Sequence, residues 1–216
     1  MSTPLILWCL LIITIKLTEG QHPVPGRCPK VEPFKYIDVQ RYGGLWYEVE
    51  RFFFLPEVTG SCITVNYDPQ KDGSLATTIR LKESVTGKKL AFPGNTIFLD
   101  STLNKNFTIG NMQLTLELFN PILPQPKFQY TYSYKLADTD YDNYIIKFGC
   151  VSLLAVHFES VWILSRYPSY PARVERLVHN SLDRLGIDRS LLVRSKCDEI
   201  QETPKVFFPT EYHHHH

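Results

Sequence analysis

From about residue 45 to residue 166 the chain repeats with a period of two. Leu75, Thr77, Ile79 and Leu81 alternate with Ala76, Thr78, Arg80 and Lys82. Met112, Leu114, Leu116 and Leu118 alternate with Gln113, Thr115 and Glu117, and Phe128, Tyr130, Tyr132, Tyr134 and Leu136 with Gln129, Thr131, Ser133 and Lys135. Successive residues of a strand point to opposite faces, so each run has one apolar and one polar face, as antiparallel strands with one wetted side do. Turn formers fall at residues 69–73, 93–95, 120–126 and 138–143. The pattern predicts eight strands, at about 45–54, 61–68, 74–82, 88–100, 112–119, 128–137, 144–151 and 160–166. Eight such strands must bury their apolar face. Closing into a barrel does so and removes the sheet edges, and an eight-stranded barrel has room for one small ligand. A two-sheet sandwich is the alternative, but 12 Tyr, 13 Phe and 3 Trp, many on the inner faces, would overfill its thin core.

One helix follows the strands. Pro171 stands in its first turn, Val174, Leu177, Val178, Leu182 and Leu185 make one apolar stripe, and Gly186 stops it. The expected fold is therefore all-β: an eight-stranded antiparallel barrel with a single C-terminal α-helix.

The 216 residues suit one domain with short appendages. Leu5 to Ile15 is an almost unbroken apolar run, ended by Thr18-Glu19-Gly20. It is too short to span a bilayer, which takes about 20 apolar residues. It reads as a signal peptide over 1–20, followed by one domain over 21–200 and a tail over 201–216. The expected location is extracellular. The net charge of +1 and the lack of a basic run exclude a nucleic-acid surface. Cys28, Cys62, Cys150 and Cys197 remain after the leader, an even number, so two disulfides are expected, with three connectivities open from spacing alone. A zinc site is disfavoured because no CxxC pair exists, and no metal is expected.

Three segments resemble the lipocalin family. Gly44-Leu45-Trp46-Tyr47-Glu48 is similar to its G-x-W signature, Thr139-Asp140-Tyr141 with Asn143-Tyr144 to its second motif, and Trp162-Ile163-Leu164-Ser165-Arg166 to its third. Cys28-Pro29, Trp46 to Glu50 and Cys62 to Tyr67 resemble the branch of apolipoprotein D and the insect bilin-binding and Lazarillo-type proteins. The resemblance covers about residues 27–197. It implies an up-and-down barrel forming a calyx, with disulfides Cys28–Cys150 and Cys62–Cys197. It also implies structural roles for Gly44, Trp46 and Arg166. Trp46 would plug the closed end with the Arg166 guanidinium across its ring, a cation–π contact.

Strand parity gives a pocket lining. Strand two turns Ile63, Val65 and Tyr67 inward, strand three Ile79, strand five Leu114 and Leu116, strand six Tyr130, Tyr132 and Tyr134, and strand eight Trp162. The resemblance independently places Tyr67, Tyr134 and Trp162 in the pocket. Such a lining suits an apolar ligand with one polar group met by a phenol or an indole N–H. Strand one is a misfit: with Trp46 inward, strict alternation turns Glu48 and Glu50 inward as well. A bulge could re-aim Glu50, or Arg166 could pair with Glu48.

The loops after strands one, three, five and seven ring the mouth. Phe53 and Phe54 lie on the first, Leu123 on the third and Leu154 on the fourth. These apolar clusters form either a lid or a surface for a lipoprotein or membrane. Asn106-Phe107-Thr108 is a glycosylation sequon on the closed-end side. His213 to His216 is either a tag or a native tail. The expected function is a secreted carrier of a small hydrophobic ligand (fatty acid, sterol, retinoid or bilin). No catalytic residues are expected and no cofactor is required, although a bound bilin or lipid fits. The rival readings are a lipoprotein-associated protective protein and a lipocalin-type isomerase, which would need a free cysteine in the pocket.

Overall fold

The computed structural model describes residues 23–52, 60–84, 86–100, 108–118, 128–195 and 197. The expected signal peptide, Phe53, Phe54, Asn106, Leu123 and the His tail lie outside them. A short strand β1 (Val24–Pro25) and one helical turn α1 (Val39–Tyr42) lead into β2 (Gly44–Phe52). Then come β3 (Gly60–Pro69), β4 (Leu75–Glu83), β5 (Lys89–Phe98) and β6 (Asn111–Leu118). β7 (Phe128–Thr139), β8 (Tyr144–Leu153) and β9 (Val156–Ser165) complete the series. Neighbours in sequence pair antiparallel, and β9 pairs back onto β2, so β2 to β9 form a closed eight-stranded barrel. The helix α2 (Ala172–Leu185) and a last strand β10 (Leu192–Arg194) follow.

Two of the described turns have a local cause. At the β3–β4 turn the Asp72 carboxylate accepts hydrogen bonds from the Ser74 N–H at 2.9 Å and the Ser74 hydroxyl at 2.7 Å. At the β7–β8 turn Asp140 accepts from the backbone N–H groups of Asn143 and Tyr144. Asp38 caps α1 by accepting from the N–H groups of Gln40 and Arg41, the ordinary N-cap arrangement. Gly186 ends α2 in the left-handed conformation.

Two segments depart from the expected pattern. Pro93-Gly94-Asn95 is not a turn; it lies inside β5, where a Cβ on Gly94 would fall 2.3 Å from the Thr115 carbonyl oxygen of β6. Glycine here lets two strands approach closely. The last barrel strand begins at Val156 rather than 160, because Leu153 pairs with Val156 in a tight hairpin whose turn puts Leu154 at φ 55°.

The barrel has two apolar layers. Inside, toward the closed end, Trp46, Tyr42, Tyr67, Leu75, Met112 and Leu136 pack almost fully buried. Outside, Tyr144, Ile146 and Phe148 of β8 meet Val174, Val178 and Leu182 of α2. Leu177, at the margin of the helical stripe, remains 38% exposed. Asp138 fastens the same helix by accepting hydrogen bonds from Tyr144, Ser181 and Arg184.

The disulfides are Cys28–Cys150 and Cys62–Cys197. The second completes the wall. β2 and β3 are paired from Gly44↔Tyr67 to Tyr47↔Thr64 and then part. β9 holds the other edge of β2 through Arg51↔Trp162, so the vacated edge takes β10, with Phe52↔Leu192 and Glu50↔Arg194. Cys197, just past β10, is bonded to Cys62 on β3. Three residues of the C-terminal segment thus fill the gap between two barrel strands.

Candidate functional site

The three motif segments converge at the closed end on one side chain. Arg166, the residue after β9, donates hydrogen bonds only to carbonyl oxygens in the described contacts: Leu45 at 3.0 Å, Gly43 and Arg41 at 2.8 Å, and Tyr141 at 3.1 Å. Its guanidinium stands 3.5 Å from the Trp46 ring centroid. The Trp46 indole N–H donates to the Tyr42 carbonyl at 2.9 Å. Gly44 sits at φ +92°, with Arg166 Nη1 3.1 Å from where its Cβ would be, so the first motif needs glycine for both conformation and space. Arg166 does not pair with Glu48.

Above this plug lies a cavity of about 360 Å³. Ile79, Leu114, Leu116, Tyr130, Tyr132, Tyr134 and Trp162 all stand on its wall, as parity places them. Tyr130 is at the open side, 39% exposed. Its ring begins a ladder down β7, with Tyr130, Tyr132 and Tyr134 at successive centroid spacings of 6.5 Å. Trp162 meets Tyr132 edge-on at 5.4 Å.

Tyr67 departs from expectation. It is inward but lies beneath the cavity, 1% exposed, its ring 4.9 Å from that of Tyr42. Parity gives the face of a strand but not the depth at which the core ends. Burial raises the Tyr42 and Tyr67 hydroxyls well above the ordinary phenol range and pushes Tyr134 up to about 12. The floor therefore presents neutral phenols at physiological pH.

The two glutamates of β2 part company at a bulge. Glu48 pairs with Leu164 and Glu50 with Ile163, so Val49 is the extra residue and Glu50 is turned outward. Glu48 stays on the cavity wall, 4% exposed. Its Oε1 accepts from Arg51 at 2.5 Å and from the Ser195 hydroxyl at 2.6 Å. Glu50 instead faces α2, 3.7 Å from Arg194, beside Glu175 and His179. Arg194 is also ion-paired to Glu175, so a guanidinium already serves this carboxylate cluster.

Sequence reasoning missed Lys147, Glu83, Leu90 and Phe92 on the wall. Lys147 is the most consequential. It is 6% exposed, with Nζ 5.0 Å from the Tyr134 ring centroid and 5.2 Å from that of Tyr67. The signal was present: on β8, Ile145, Lys147 and Gly149 alternate with Ile146 and Phe148, which pack under α2.

Of the expected mouth residues, Leu154 is described, and it is 99% exposed at the hairpin tip with Val151 and Leu153 each 58% exposed. Phe53, Phe54 and Leu123 lie outside the described residues.

Comparison with known proteins places this geometry. A family model for the lipocalin-like domain matches residues 37–197. Apolipoprotein D of Rattus norvegicus is 28% identical over 172 residues, covering 79% of this chain and 82% of that protein. Insecticyanin from the tobacco hornworm Manduca sexta shares the fold at a TM-score of 0.69 and 22% identity, covering 83% of this chain and 91% of its own. The amine-binding protein of Rhodnius prolixus, in its tryptamine complex, shares it at a TM-score of 0.59 and 15% identity, covering 78% and 86%. With a family model spanning most of the chain and a barrel plugged by Trp46 beneath Arg166, this protein belongs to the lipocalin family.

Proposed function

We propose that the protein is an extracellular carrier that holds one small, largely apolar ligand in the barrel and performs no chemistry on it. The observation that carries this reading is the cavity itself. At about 360 Å³ it falls in the range of small-molecule sites, and its wall is mainly aliphatic and aromatic with a few polar groups. Fatty acids, sterols, retinoids and bilins share the required character. The apolar leader and the two disulfides support an oxidising, extracellular setting. Cys28, Cys62, Cys150 and Cys197 are all bonded, so none of them offers the thiol that an isomerase reading needs. Thr108, the last residue of the sequon, lies at the closed end, where its carbonyl accepts from the Ile37 N–H.

Titration of the delipidated, disulfide-bonded protein with retinol, followed by tryptophan fluorescence, tests the reading. Saturable quenching at one retinol per chain supports it. Linear, non-saturating quenching, with no lipid or pigment extracted from the native preparation, would overturn it.

A second reading, docking to a lipid surface, is favoured by the β8–β9 hairpin, whose tip exposes Val151, Leu153 and Leu154 together. It is compatible with the first, because the hairpin stands beside the mouth rather than within the cavity.

A further inference from the structure

Of the charged residues of β2, Glu48 lines the cavity, and its two carboxylate oxygens are not alike. Oε1 accepts from Arg51 Nη1 at 2.5 Å and from the Ser195 hydroxyl at 2.6 Å. The same Nη1 donates to the Ser195 hydroxyl at 3.0 Å, so the two partners also hold each other around that one oxygen. Oε2 accepts no hydrogen bond from the described residues, and it is not sealed into the protein as Glu50 Oε2 is. On a side chain 3% exposed that stands on the cavity wall, this oxygen is open to the cavity.

The wall around Glu48 is apolar. Leu164 stands opposite on β9, Ile63 and Val65 of β3 line the same cavity, and Trp46 is the inward residue one step below on β2. A ligand that covers Oε2 with hydrocarbon strips a charged oxygen of its hydration and returns no donor, which is costly. A ligand with an O–H at that place supplies a charge-assisted hydrogen bond, and the low local dielectric strengthens it. The charge on the headgroup is constrained as well. Arg51 already balances Glu48, so a ligand ammonium adds a second cation to a neutral pair. A ligand carboxylate brings like charge and, at neutral pH, no proton to donate. A hydroxyl meets Oε2 without either penalty.

We infer that the barrel selects apolar alcohols, seated low on the wall with the ligand O–H donated to Glu48 Oε2 and the apolar body toward the mouth. This rests on the carrier reading and narrows it to a ligand class.

The test compares 1-dodecanol with its isomer methyl undecyl ether, which keeps the oxygen but has no proton to donate, and with dodecanoate and dodecylamine. Each is titrated calorimetrically into the full disulfide-bonded protein near neutral pH. The parent is expected to bind dodecanol about tenfold more tightly than the ether, the step that one hydrogen bond to a charged group gives, and more tightly than dodecanoate or dodecylamine. Glu48→Gln keeps the shape and removes the charge, and should bring dodecanol and the ether within about a factor of two. Ser195→Ala, which leaves Oε2 as it is, should keep the preference. Equal binding of dodecanol and the ether by the parent overturns the inference whatever the variants do, and this comparison decides the case alone if Glu48→Gln does not fold. A folded Glu48→Gln protein that keeps the preference also overturns it, as does a parent that prefers dodecanoate or dodecylamine. Failure of the parent to bind any of the four probes is a different result, which overturns the carrier reading and the headgroup inference with it.

Discussion

The phenol oxygen of Tyr132 occupies the space that a side chain at Gly149 would need: a Cβ there would fall 1.9 Å from it. The Tyr132 ring reaches from β7 across to β8, meets Trp162 edge-on, and is fixed by the absence of one methyl group on the opposite strand. The shape of the cavity wall thus depends on a residue that contributes no side chain.

Gly149→Ala is expected to destabilise the protein by about 1–3 kcal/mol, the usual cost of forcing a methyl into a packed interior. Replacing Tyr132 by Leu in the same background should recover most of that loss, because both the hydroxyl and the ring carbon 2.8 Å from the new Cβ are removed. Urea unfolding of the two single variants and the double variant checks this. Additive losses would mean the clash is relieved elsewhere.

Trp46 and Trp162 should separate stability from binding. Trp46 is fully buried, with its N–H bonded and Arg166 over its ring. Trp46→Ala should cost about 3–5 kcal/mol. Trp162 stands on a wall that already adjoins open space, so Trp162→Ala should lose retinol affinity with a much smaller drop in melting temperature. A Trp46→Ala protein that kept its melting temperature and lost only ligand would invert the assignment of closed and open ends.

Glu50 gives a pH signature. Burial holds its pKa above the ordinary 4.5 despite the opposing pull of Arg194, His179 and Tyr170, while Glu175 adds to the rise. The folded state therefore binds more protons than the unfolded chain in a window that starts near 4.5 and ends at the raised value. Stability contributed by this group falls as pH rises through that window. Glu32, Asp72 and Asp188, whose pKa values are lowered, act with the opposite sign at lower pH. The stability of the parent minus that of Glu50→Gln, measured from about pH 4 to pH 7, should decline with pH. A difference that rises with pH would show that the ion pair to Arg194 outweighs burial.

The hairpin tip predicts weak, reversible association with vesicles of neutral phosphatidylcholine. Fully burying a leucine contributes roughly 1.5–3 kcal/mol, so partial insertion of Leu153 and Leu154 gives a measurable but modest affinity. Leu154→Ser, alone or with Phe54→Ser, should reduce flotation with vesicles, with little dependence on salt and no change in retinol binding. A double variant that floats like the parent but has lost retinol would make these residues a lid.

The barrel was legible because its cause is periodic. Inward residues of β4, β6 and β7 recur at every second position, so Ile79, Leu114, Leu116, Tyr130, Tyr132 and Tyr134 could be placed on one face without coordinates. Depth was not legible. Tyr67 and Tyr134 have the same parity, yet one lies under the floor and the other on the wall, because the level of the plug depends on how Tyr42 from outside the barrel packs inside it. The fate of Glu50 was also undecided, since a bulge is one residue of slippage between strands far apart in sequence. Lys147 was overlooked because a single cation in an apolar run does not disturb the period.

Where β2 and β3 separate, the vessel has a slit in its side, laced by β10 and fastened at Cys62–Cys197. Across this slit the closure is delivered from the far end of the chain. The same lace carries Ser195, which bonds to Glu48 on the inner surface. Unfastening it with paired Cys62→Ser and Cys197→Ser changes should therefore shorten ligand residence time more than it lowers the melting temperature, as stopped-flow release of retinol would record. Escape would then proceed through the flank, without the mouth having to open.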